Sequence, residues 1–527
     1  MQAASQNETI CFLGSPDVFG GGPVWMEMVS TPVSVVLLIG SRALKLKRPV
    51  QRPHLDLSTP ERRLAMCEHE LMLNRRTAPD LYRAVHRITR EQNGHLALNG
   101  QGELVDAVLE MGRLDENLLF DRMAQRGILT AADLAELGAA IARFHQAAPV
   151  SMDSEGAGRM ERVLAVIEQA FAEADILSRD DVEPIIAGCR EALARHVGLL
   201  NQRAGEGKVR RGHGDLRLRN VCLVDGKPLL VGCLDLDEDL ATVDILYDLA
   251  FVLMDLWHRR LEPLANLLFN RYLDASDDET GIRLLPFLMA VRAAARAHAT
   301  AIDSDKPQGA RLSEAQAYLR LCRDLLRARP PILVAIGGYS GSGKSTLAAL
   351  IAPALGPAPG ARIAASDGIR KRLCGSAAEA RRSADAYGDH VSARTHRVMI
   401  RLGETALGQG HAAVADAVFD RRSERERIEE VARRAGVPFC GLWLQAPEKL
   451  LVQRVAARRG DPSDATPEAV LSQIARHGAA TEWTRIAAQG EVGAVATAAL
   501  AAIGSQTAAQ AVWPSLACAL PETPGTW

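Results

Sequence analysis

The sequence predicts two folded parts, an α+β domain followed by an α/β domain that is built on a doubly wound parallel sheet. Three observations predict this division. The first 325 residues pass from short strands to long helical stretches that are rich in Ala and Leu. A break at residues 327–338, RARPPILVAIGG, contains paired prolines that stop a helix before a buried apolar strand. After this break, strands and helices alternate, which is typical of a parallel sheet covered by helices.

Size and composition narrow the class of protein. A chain of 527 residues exceeds the size at which a single core keeps growing, so several domains are expected. The formal net charge of -2 gives no electrostatic footprint for nucleic acid or anionic lipid, so we expect a small-molecule partner, no nucleic acid and no membrane. The nine cysteines lie apart without metal-binding spacing, which favours a reducing cytoplasm. No signal peptide or membrane span is predicted, and the oligomeric state is left open.

The first part begins with strands and continues with helices. Segments WMEMV, VSVVLLI and ALKLKRPV are separated by short turns, which favours antiparallel pairing over the first fifty residues. Residues 60–75 change to helical spacing, with Thr59 placed as the cap and Pro60 in the first turn. Residues 130–205 and 240–325 have mostly helical patterns.

The second part is predicted to contain four parallel strands, ILVAI, ARIAAS, HAAVADAVF and VPFCGLWLQA. We place the domain boundary at about residue 330. The predicted domains are 1–329, with a small lobe at about 1–100 and a large lobe at about 101–329, then 330–490, and finally an Ala-rich helix and loose tail at 491–527.

Residues 338–345 fit the pattern GxxxxGK[ST] between a buried strand and a helix. In that geometry, backbone N–H groups cradle phosphates, Lys344 reaches the β and γ oxygens, and the Ser345 hydroxyl holds Mg²⁺. The sequence therefore predicts an ATP site with Mg²⁺. Its residues are Gly338, Ser340, Gly341, Ser342, Gly343, Lys344, Ser345 and Thr346.

Two acidic residues and two arginines are candidates near this loop. Asp367 ends the predicted strand ARIAASD and Asp416 ends HAAVAD, so both are expected at the crevice outside the carboxyl ends of the strands, where they can face the bound γ-phosphate. Asp367 also fits a simple helix cap, and this alternative stays open. Arg454 and Arg458 lie one turn apart on a predicted helix. They fit either a lid that clamps the transferring phosphate or a solvated basic face.

This second part resembles the small P-loop kinases of the zeta-toxin and gluconate-kinase type. The resemblance covers roughly residues 332–485 through GGYSGSGKST, SDGIRKRL, VADAVF and RVAARRGDPSDAT. It implies that Asp367 handles the acceptor hydroxyl as base or orienter and that Arg370 helps to place the substrate. It also implies that Arg454 and Arg458 belong to a lid. We assign Asp416 to the substrate side as well.

The stretch HGDLRLRN, residues 213–220, fits the kinase catalytic-loop pattern H-x-D-L-x-x-x-N. In that pattern Asp215 accepts a hydroxyl proton and Asn220 holds Mg²⁺. A hairpin predicted after the loop returns Asp235 to the neighbourhood of Asn220, where it would serve as a second metal ligand. The alternative is that Asp215 and Asn220 only stabilise a turn.

A kinase site also needs a strand lysine that is held by a helix glutamate. Lys45 lies on the predicted strand ALKLKRPV, and Glu70 lies on the following helix. Lys47 shares a strand face with Lys45, and Glu68 is close to Glu70, so periodicity alone leaves the pairing open.

The whole chain resembles the bifunctional aminoglycoside phosphotransferase/ATP-binding protein family. The segments that carry the resemblance are RALKLKRPV, CEHELMLNRRTAPDLY, HGDLRLRN, CLDLDEDLATVDILYDLAFVLMDL and GVPFCGLWLQAP. They cover most of residues 10–485. The resemblance implies a protein-kinase-like first half that is fused to a P-loop NTPase second half.

The same resemblance implies roles for individual residues. It favours Lys45 and Glu70 over their neighbours as the nucleotide-binding pair. It names Asp215 as the catalytic base and gives the metal to Asn220 and Asp235.

Two positions depart from the family pattern. The family usually has HGDLHLRN, whereas Arg217 replaces that second histidine here, and Gly232 replaces an acid before the metal ligand. These departures motivate an alternative in which the first half senses a nucleotide or ligand and regulates the second half without catalysis.

The sequence thus predicts an ATP- and Mg²⁺-dependent phosphotransferase with two kinase modules. The expected acceptor is a hydroxyl group of a sugar, aminosugar or nucleotide sugar. Polynucleotide kinase activity is a third hypothesis. It is less favoured, because the near-neutral charge and 4% aromatic content do not predict a nucleic-acid groove.

Overall fold

The structure of the protein is a computed structural model. It describes residues 2–15, 18, 26–52, 55–173, 176–235, 237–303, 306–374, 389–457, 465–476 and 482–509.

The chain divides into two compact units. The first unit comprises Met1–Asp133, Phe144–Met152 and Gly207–Asp248. The second unit comprises Leu134–Arg143, Asp153–Glu206 and Leu249–Trp527. The predicted sequence boundary at about residue 330 stays a prediction.

The strands are numbered in chain order: β1 Met26–Ser30, β2 Ser34–Ile39, β3 Arg42–Lys47, β4 Gln51–Arg52, β5 Leu55–Asp56, β6 Tyr82–Arg90, β7 Leu96–Leu98, β8 Glu103–Gly112, β9 Val209–Arg211, β10 Val221–Val224, β11 Lys227–Leu230, β12 Thr242–Asp244, β13 Leu333–Gly337, β14 Arg362–Ala365, β15 Ala413–Asp416, β16 Phe439–Gln445 and β17 Thr484–Ala487.

The α-helices are numbered in the same way: α1 Gln2–Leu13, α2 Pro60–Arg75, α3 Phe120–Gln125, α4 Ala131–Ala147, α5 Gly156–Ala172, α6 Arg179–Gly205, α7 Glu238–Ala241, α8 Ile245–His258, α9 Glu262–Ser276, α10 Leu285–Ala301, α11 Gln308–Leu326, α12 Lys344–Ile351, α13 Ser366–Leu373, α14 Asp389–Gly408, α15 Arg422–Ala435, α16 Glu448–Ala456, α17 Pro467–Arg476 and α18 Val492–Ala509. None of these described helices is long and apolar enough to cross a membrane.

The first unit is built on a six-stranded antiparallel sheet with the order β1-β2-β3-β8-β6-β7. One face forms a core of Leu37, Leu44 and Leu46 with Leu13 of α1. Helix α1 corrects the prediction that the first fifty residues hold only strands and turns. It forms because Leu13, together with the half-buried Ile10, covers the apolar face of the sheet.

Helix α2 packs with the other face of this sheet. Thr59 is its N-cap and accepts a hydrogen bond from the backbone N–H of Arg62 at 3.4 Å, while Pro60 occupies the first turn. Cys67 and Glu70 are buried on the face toward the sheet. The predicted start and cap of this helix are confirmed.

The hairpin predicted after residues 213–220 is also present. Strands β10 and β11 pair antiparallel, with Val221 opposite Leu230. Asp225 and Gly226 form the turn with φ values of 48° and 73°, the left-handed conformation that two-residue hairpins prefer. A separate antiparallel pairing joins β9, which precedes the loop at residues 213–220, to β12, which follows the hairpin.

The second unit contains the five-stranded parallel sheet, with the order β14-β15-β13-β16-β17. The fold prediction, a protein-kinase-like domain plus a P-loop domain with a parallel sheet, is confirmed. Sequence analysis missed the fifth strand, β17, because its four residues alternate between exposed and buried and include Thr484 and Arg485. The core of this sheet consists of aliphatic residues from β13, β15, β16, α12 and α18.

Candidate functional site

A cleft of about 870 Å³ lies in the first unit against its antiparallel sheet. Val36, Ala43 and Met111 contribute apolar walls, while Lys45 and Glu70 contribute charge. An apolar slot with a few convergent polar groups is the usual form of a small-molecule site. This cleft is therefore the candidate nucleotide site of the first unit.

Two lysines of β3, not one, bind the helix glutamate. Lys45 Nζ lies 2.6 Å from Glu70 Oε1, and Lys47 Nζ lies 2.6 Å from Glu70 Oε2. Lys47 also contacts Asp235 Oδ2 at 2.6 Å. The Lys45 side chain is 25% exposed and lines the cleft, whereas that of Lys47 is 2% exposed. Glu68 is exposed on α2, so the geometry favours Glu70.

These contacts set the charge of the buried groups. Burial alone would raise the pKa of Glu70, but the ammonium groups of Lys45 and Lys47 lower it to about 2. Burial opposes the charge on Lys47 too, yet Glu70 and Asp235 raise its pKa above the ordinary value. Glu70 and Lys47 are therefore stabilised in their charged forms although both are buried. Sequence analysis missed the part of Lys47 in these contacts.

The loop that carries Asp215 is held from behind by a buried carboxylate. Asp248 accepts hydrogen bonds from the backbone N–H groups of His213 at 2.6 Å and Gly214 at 2.9 Å. The His213 side chain donates to the Val231 carbonyl at 3.0 Å. Gly214 has φ 82°, and a Cβ there would lie 2.7 Å from the Leu234 side chain, so glycine is required. His213 and Asp248 thus shape the loop.

Asp215 is bound by its neighbours in the loop. Arg217 donates from Nε to Oδ1 at 2.7 Å and from its Nη2 to Oδ2 at 2.8 Å, a two-point ion pair. Asn220 Nδ2 donates to Oδ2 of the same carboxylate at 2.8 Å. Burial would raise the pKa of Asp215, but Arg217 overrides this effect and the pKa falls to about 2. The candidate base is therefore weak while Arg217 stays in place.

The predicted metal ligands of the first unit also have partners. The Asn220 amide group faces Asp215, and Asp235 binds Lys47. Amide and carboxylate oxygens are the ligands that Mg²⁺ prefers, so the chemistry of Asn220 and Asp235 fits. Within the described residues, no group of three or more His, Cys, Asp or Glu side chains is placed to hold a metal.

The second candidate site is the loop between β13 and α12. Gly338 has φ 141°, and a Cβ there would lie 2.7 Å from the Leu444 carbonyl oxygen. Lys344 begins α12, and its Nζ donates to the Tyr339 carbonyl at 3.2 Å. The Ser345 hydroxyl donates to Asp416 Oδ2 at 2.6 Å. A helix N-terminus, an ammonium group and a hydroxyl–carboxylate pair thus converge at one end of the sheet.

Two further features of this loop concern polar groups that phosphate would satisfy. The Ser340 backbone N–H donates to Gln473 Oε1 at 3.0 Å, and Gln473 Nε2 donates to Ser340 Oγ at 3.2 Å. Ser342 Oγ is buried and finds no hydrogen-bond partner in the part of the chain that is described. The Gln473 amide oxygen therefore binds the Ser340 backbone N–H, one of the donors that the loop would offer to phosphate. Gln473 is 133 residues from Ser340, so no local sequence pattern could have found it.

Asp367 lies in the first turn of α13, not at the end of a strand as predicted, because β14 ends at Ala365. The N-cap position belongs to Ala365, and no side chain caps the helix. The alternative that Asp367 only caps this helix is therefore wrong. Its carboxylate accepts a hydrogen bond from Arg370 Nη1 at 2.8 Å. Asp416 ends β15, as predicted.

The structure describes only one of the two predicted lid arginines. Arg454 is half-buried on α16, which ends at Ala456. Arg458 lies outside the described residues, so the lid prediction stays a prediction. Thr346 is exposed in the first turn of α12.

A polar pair that the sequence analysis missed joins α14 to α15, the helices on either side of β15 in the chain. His396 Nε2 lies 3.4 Å from Glu424 Oε1, and both side chains are largely buried. Burial, with Asp420 second, raises the pKa of Glu424 to about 7, and burial lowers the pKa of His396 to about 4. Paired groups with displaced pKa values are frequent near functional sites.

Two parts of the chain match models of known protein families. Residues 68–285 match the family model described as phosphotransferase enzyme family. Residues 333–480 match the family model described as AAA domain. The chain therefore carries a phosphotransferase-family domain followed by a P-loop domain of the AAA family, and it is an enzyme. The predicted combination of these two modules is confirmed.

Similar proteins include uncharacterized proteins of Mycobacterium tuberculosis and Mycobacterium bovis, each 28% identical over 463 residues that cover 86% of this chain and 90% of the relative. Among solved structures, a choline/ethanolamine kinase family protein from Mesorhizobium loti is 14% identical and covers 61% of this chain and 95% of its own, with a TM-score of 0.38. A gluconokinase from Sinorhizobium meliloti 1021 is 18% identical and covers 35% of this chain and 98% of its own, with a TM-score of 0.27.

Proposed function

We propose that the chain transfers the γ-phosphate of ATP to a hydroxyl group of a small molecule of the sugar, aminosugar or nucleotide-sugar class. The observation that carries this proposal is the hydrogen bond between Ser345 and Asp416 beside Lys344 at the start of α12. A hydroxyl and a strand-end carboxylate are the pair that P-loop enzymes use beside the terminal phosphates. The reducing cytoplasm remains our expected location.

The chain's own residues supply most of the chemistry in the second site. Backbone N–H groups of residues 338–345 bind phosphate oxygens, and Lys344 exchanges the Tyr339 carbonyl for the β and γ oxygens. Asp367, which Arg370 holds in place, accepts the proton of the acceptor hydroxyl. That oxygen forms its bond to the γ-phosphorus as the bond to the β-phosphate oxygen breaks and ADP leaves.

The oxygen donors of both sites fit Mg²⁺. Ser345 and Asp416 would hold Mg²⁺ in the second site. We therefore propose Asp416 as a metal-binding residue, in place of the substrate-binding role that sequence analysis gave it. Asn220 with Asp235 would hold Mg²⁺ in the first site. When bound, Mg²⁺ supplies positive charge that offsets the charge of the terminal phosphates.

The test is a transfer screen with γ-labelled ATP against sugars, aminoglycosides, nucleosides and nucleotide sugars. Variants Lys344→Ala and Asp367→Asn should each abolish label transfer by the second site. Lys449→Ala, which removes an exposed lysine of the same module, is the matched control and should keep full activity. Full transfer to the second site's acceptor by the Lys344→Ala chain would disprove the assignment.

A second candidate function, ligand sensing by the first unit, is favoured by the two-point ion pair between Arg217 and Asp215. A carboxylate held in this way is a poor proton acceptor. If the first unit only senses ligand, Asp215→Ala will leave every transfer reaction of the screen intact and change how the second site responds to ligand. If it catalyses, the same variant will abolish one of the transfer reactions that survive Lys344→Ala.

A further inference from the structure

Helix α9, which sequence analysis assigns to the kinase-like half, is hydrogen-bonded to β14, an edge strand of the parallel sheet. Both elements belong to the second unit. Strand β14 is the outermost strand on its side, so the polar groups of one of its edges need partners from elsewhere. Helix α9 provides them with side chains.

Two buried asparagines of α9 act in place of a neighbouring strand. Asn270 Oδ1 accepts the backbone N–H of Ile363 at 2.8 Å, and Asn270 Nδ2 donates to the Ala361 carbonyl at 3.2 Å. Asn266 Nδ2 donates to the carbonyls of Pro359 at 2.9 Å and Ala361 at 3.0 Å. The exposed fractions of Asn266 and Asn270 are 1% and 6%. Buried amides with both functions bonded fix a specific register between the helix and the strand.

The first residue of β14 adds a buried cation to this contact. Arg362 is 1% exposed. It donates to Asn270 Oδ1 at 3.0 Å, to Asp274 Oδ1 at 2.8 Å and to Glu279 Oε1 at 2.9 and 3.0 Å. All three acceptor side chains come from α9 or the turn just after it. A buried guanidinium without these partners would be strongly destabilising, so β14 depends on α9.

Asp274 also reaches the helix that follows the strand. Its Oδ1 contacts Arg372 Nη1, near the end of α13, in addition to Arg362 at the start of β14. Asp367 and Arg370 lie between these two arginines along the chain. The Asp274 carboxylate therefore binds an arginine at each end of residues 362–372, the segment that carries the proposed acceptor-side residues Asp367 and Arg370.

We infer that Asp274 is a positioning residue of the second phosphotransfer site. It acts through Arg362 and Arg372 by fixing β14 and α13, and so it places Asp367 relative to the phosphate loop. This inference rests on the proposed function for its catalytic consequence, but the structural coupling holds independently of it. A helix that sequence analysis assigns to the kinase-like half thereby helps to position the residues of the P-loop site.

The test compares Asp274→Ala with Asp277→Asn in the full chain. Asp277 is an exposed carboxylate with φ 53°, a conformation that asparagine tolerates, so it is a matched control. Hydrogen exchange is measured by mass spectrometry over residues 362–373. Loss of Asp274 should speed exchange there by about tenfold or more, because one charged hydrogen-bond partner of two arginines is removed. Asp277→Asn should leave it unchanged.

A kinetic readout separates positioning from general loss of structure. ATP hydrolysis, with water as acceptor, is measured together with binding of the Mg²⁺ complex of AMPPNP. We expect Asp274→Ala to lower the hydrolysis rate at saturating ATP and to leave AMPPNP affinity within about twofold, because the phosphate loop lies on other elements. Equal loss of nucleotide affinity would overturn the positioning role.

Arg372→Met guards against a misfolded Asp274 variant. It removes only the α13 partner and leaves Arg362 bound to Asp274, so exchange should rise in residues 366–373 and not in 362–365. If exchange over 362–373 matches the native chain in both Asp274→Ala and Arg372→Met, the inference is wrong. If even the native chain neither binds AMPPNP nor hydrolyses ATP, the proposed function fails, and the exchange pattern still decides the coupling.

Discussion

The two lysines of β3 should behave very differently when each is replaced by methionine. Lys47 is 2% exposed and binds Glu70 and Asp235, which are themselves largely buried. Breaking a buried ion pair typically costs about 3–5 kcal/mol. Glu70 keeps Lys45, so we expect the lower end, about 3 kcal/mol, for Lys47→Met. The Lys45 side chain is more exposed, and its removal leaves Glu70 paired with Lys47. Lys45→Met should therefore lower the free energy of unfolding by only about 1 kcal/mol.

Calorimetry tests this difference through the melting transition of the first unit. For a folded unit of this size, 1 kcal/mol shifts Tm by about 2–4 °C, so Lys47→Met should lower Tm by roughly 6–12 °C and Lys45→Met by about 2–4 °C. Lys227→Met, at an exposed site at the start of β11, controls for the loss of a surface charge.

Nucleotide binding should show the opposite order. In a Lys344→Ala background, which silences the second site, Lys45→Met should weaken binding of the AMPPNP complex by about tenfold or more, because a charged hydrogen bond to phosphate is lost. Our reasoning is refuted if Lys45→Met lowers Tm as much as Lys47→Met and leaves nucleotide affinity unchanged.

Three further predictions concern the second unit. Asp278→Ala should lower the free energy of unfolding by about 3–5 kcal/mol, because buried Arg203 loses the Asp278 carboxylate that it binds at 2.8 and 2.9 Å. A loss below about 1 kcal/mol, measured by calorimetry, would contradict this prediction. Gly338→Ala should abolish AMPPNP binding by the loop, since its Cβ would lie 2.7 Å from the Leu444 carbonyl; titration of the variant checks it. Because the pKa of Glu424 is about 7 when folded and 4.5 otherwise, its stabilising contribution is present below pH 4.5 and is lost as pH rises through 7. Glu424→Gln should remove a drop of roughly 3 kcal/mol in the free energy of unfolding over this range, measured by tryptophan fluorescence in denaturant titrations at each pH. Parallel pH profiles for the two chains would contradict this prediction.

The features that sequence analysis predicted are those encoded over short stretches of chain. Thr59 and Pro60 start α2 because capping needs only the adjacent turn. The phosphate loop is recognised because its glycines, Lys344 and Ser345 lie within eight consecutive residues between a buried strand and a helix. The hairpin after Asn220 likewise depends on a two-residue turn.

The features that were missed depend on contacts between distant parts of the chain. Lys47 and Asp235 are 188 residues apart, and periodicity gave Lys45 and Lys47 the same strand face. Arg362 begins an ordinary strand, and its sequence context resembles that of a surface residue. Its burial becomes clear only from the contact with Asn270, which lies 92 residues earlier in the chain. Helix α1 has no strong amphipathic pattern and is explained by its packing on the sheet core. Burial and long-range pairing, rather than local propensity, determine these sites.

The carboxylates of the first candidate site are held by cations of the chain, and this bears on whether that site turns over. In the first unit, Arg217 binds Asp215 and Lys47 binds Asp235, so both acids that a kinase would present to metal and substrate are already paired with cations of the chain. A metal ion that joins Asp235 must compete with the buried ammonium group of Lys47. Charge competition within the first site therefore opposes metal binding there and makes ligand sensing a physically reasonable role for the first unit.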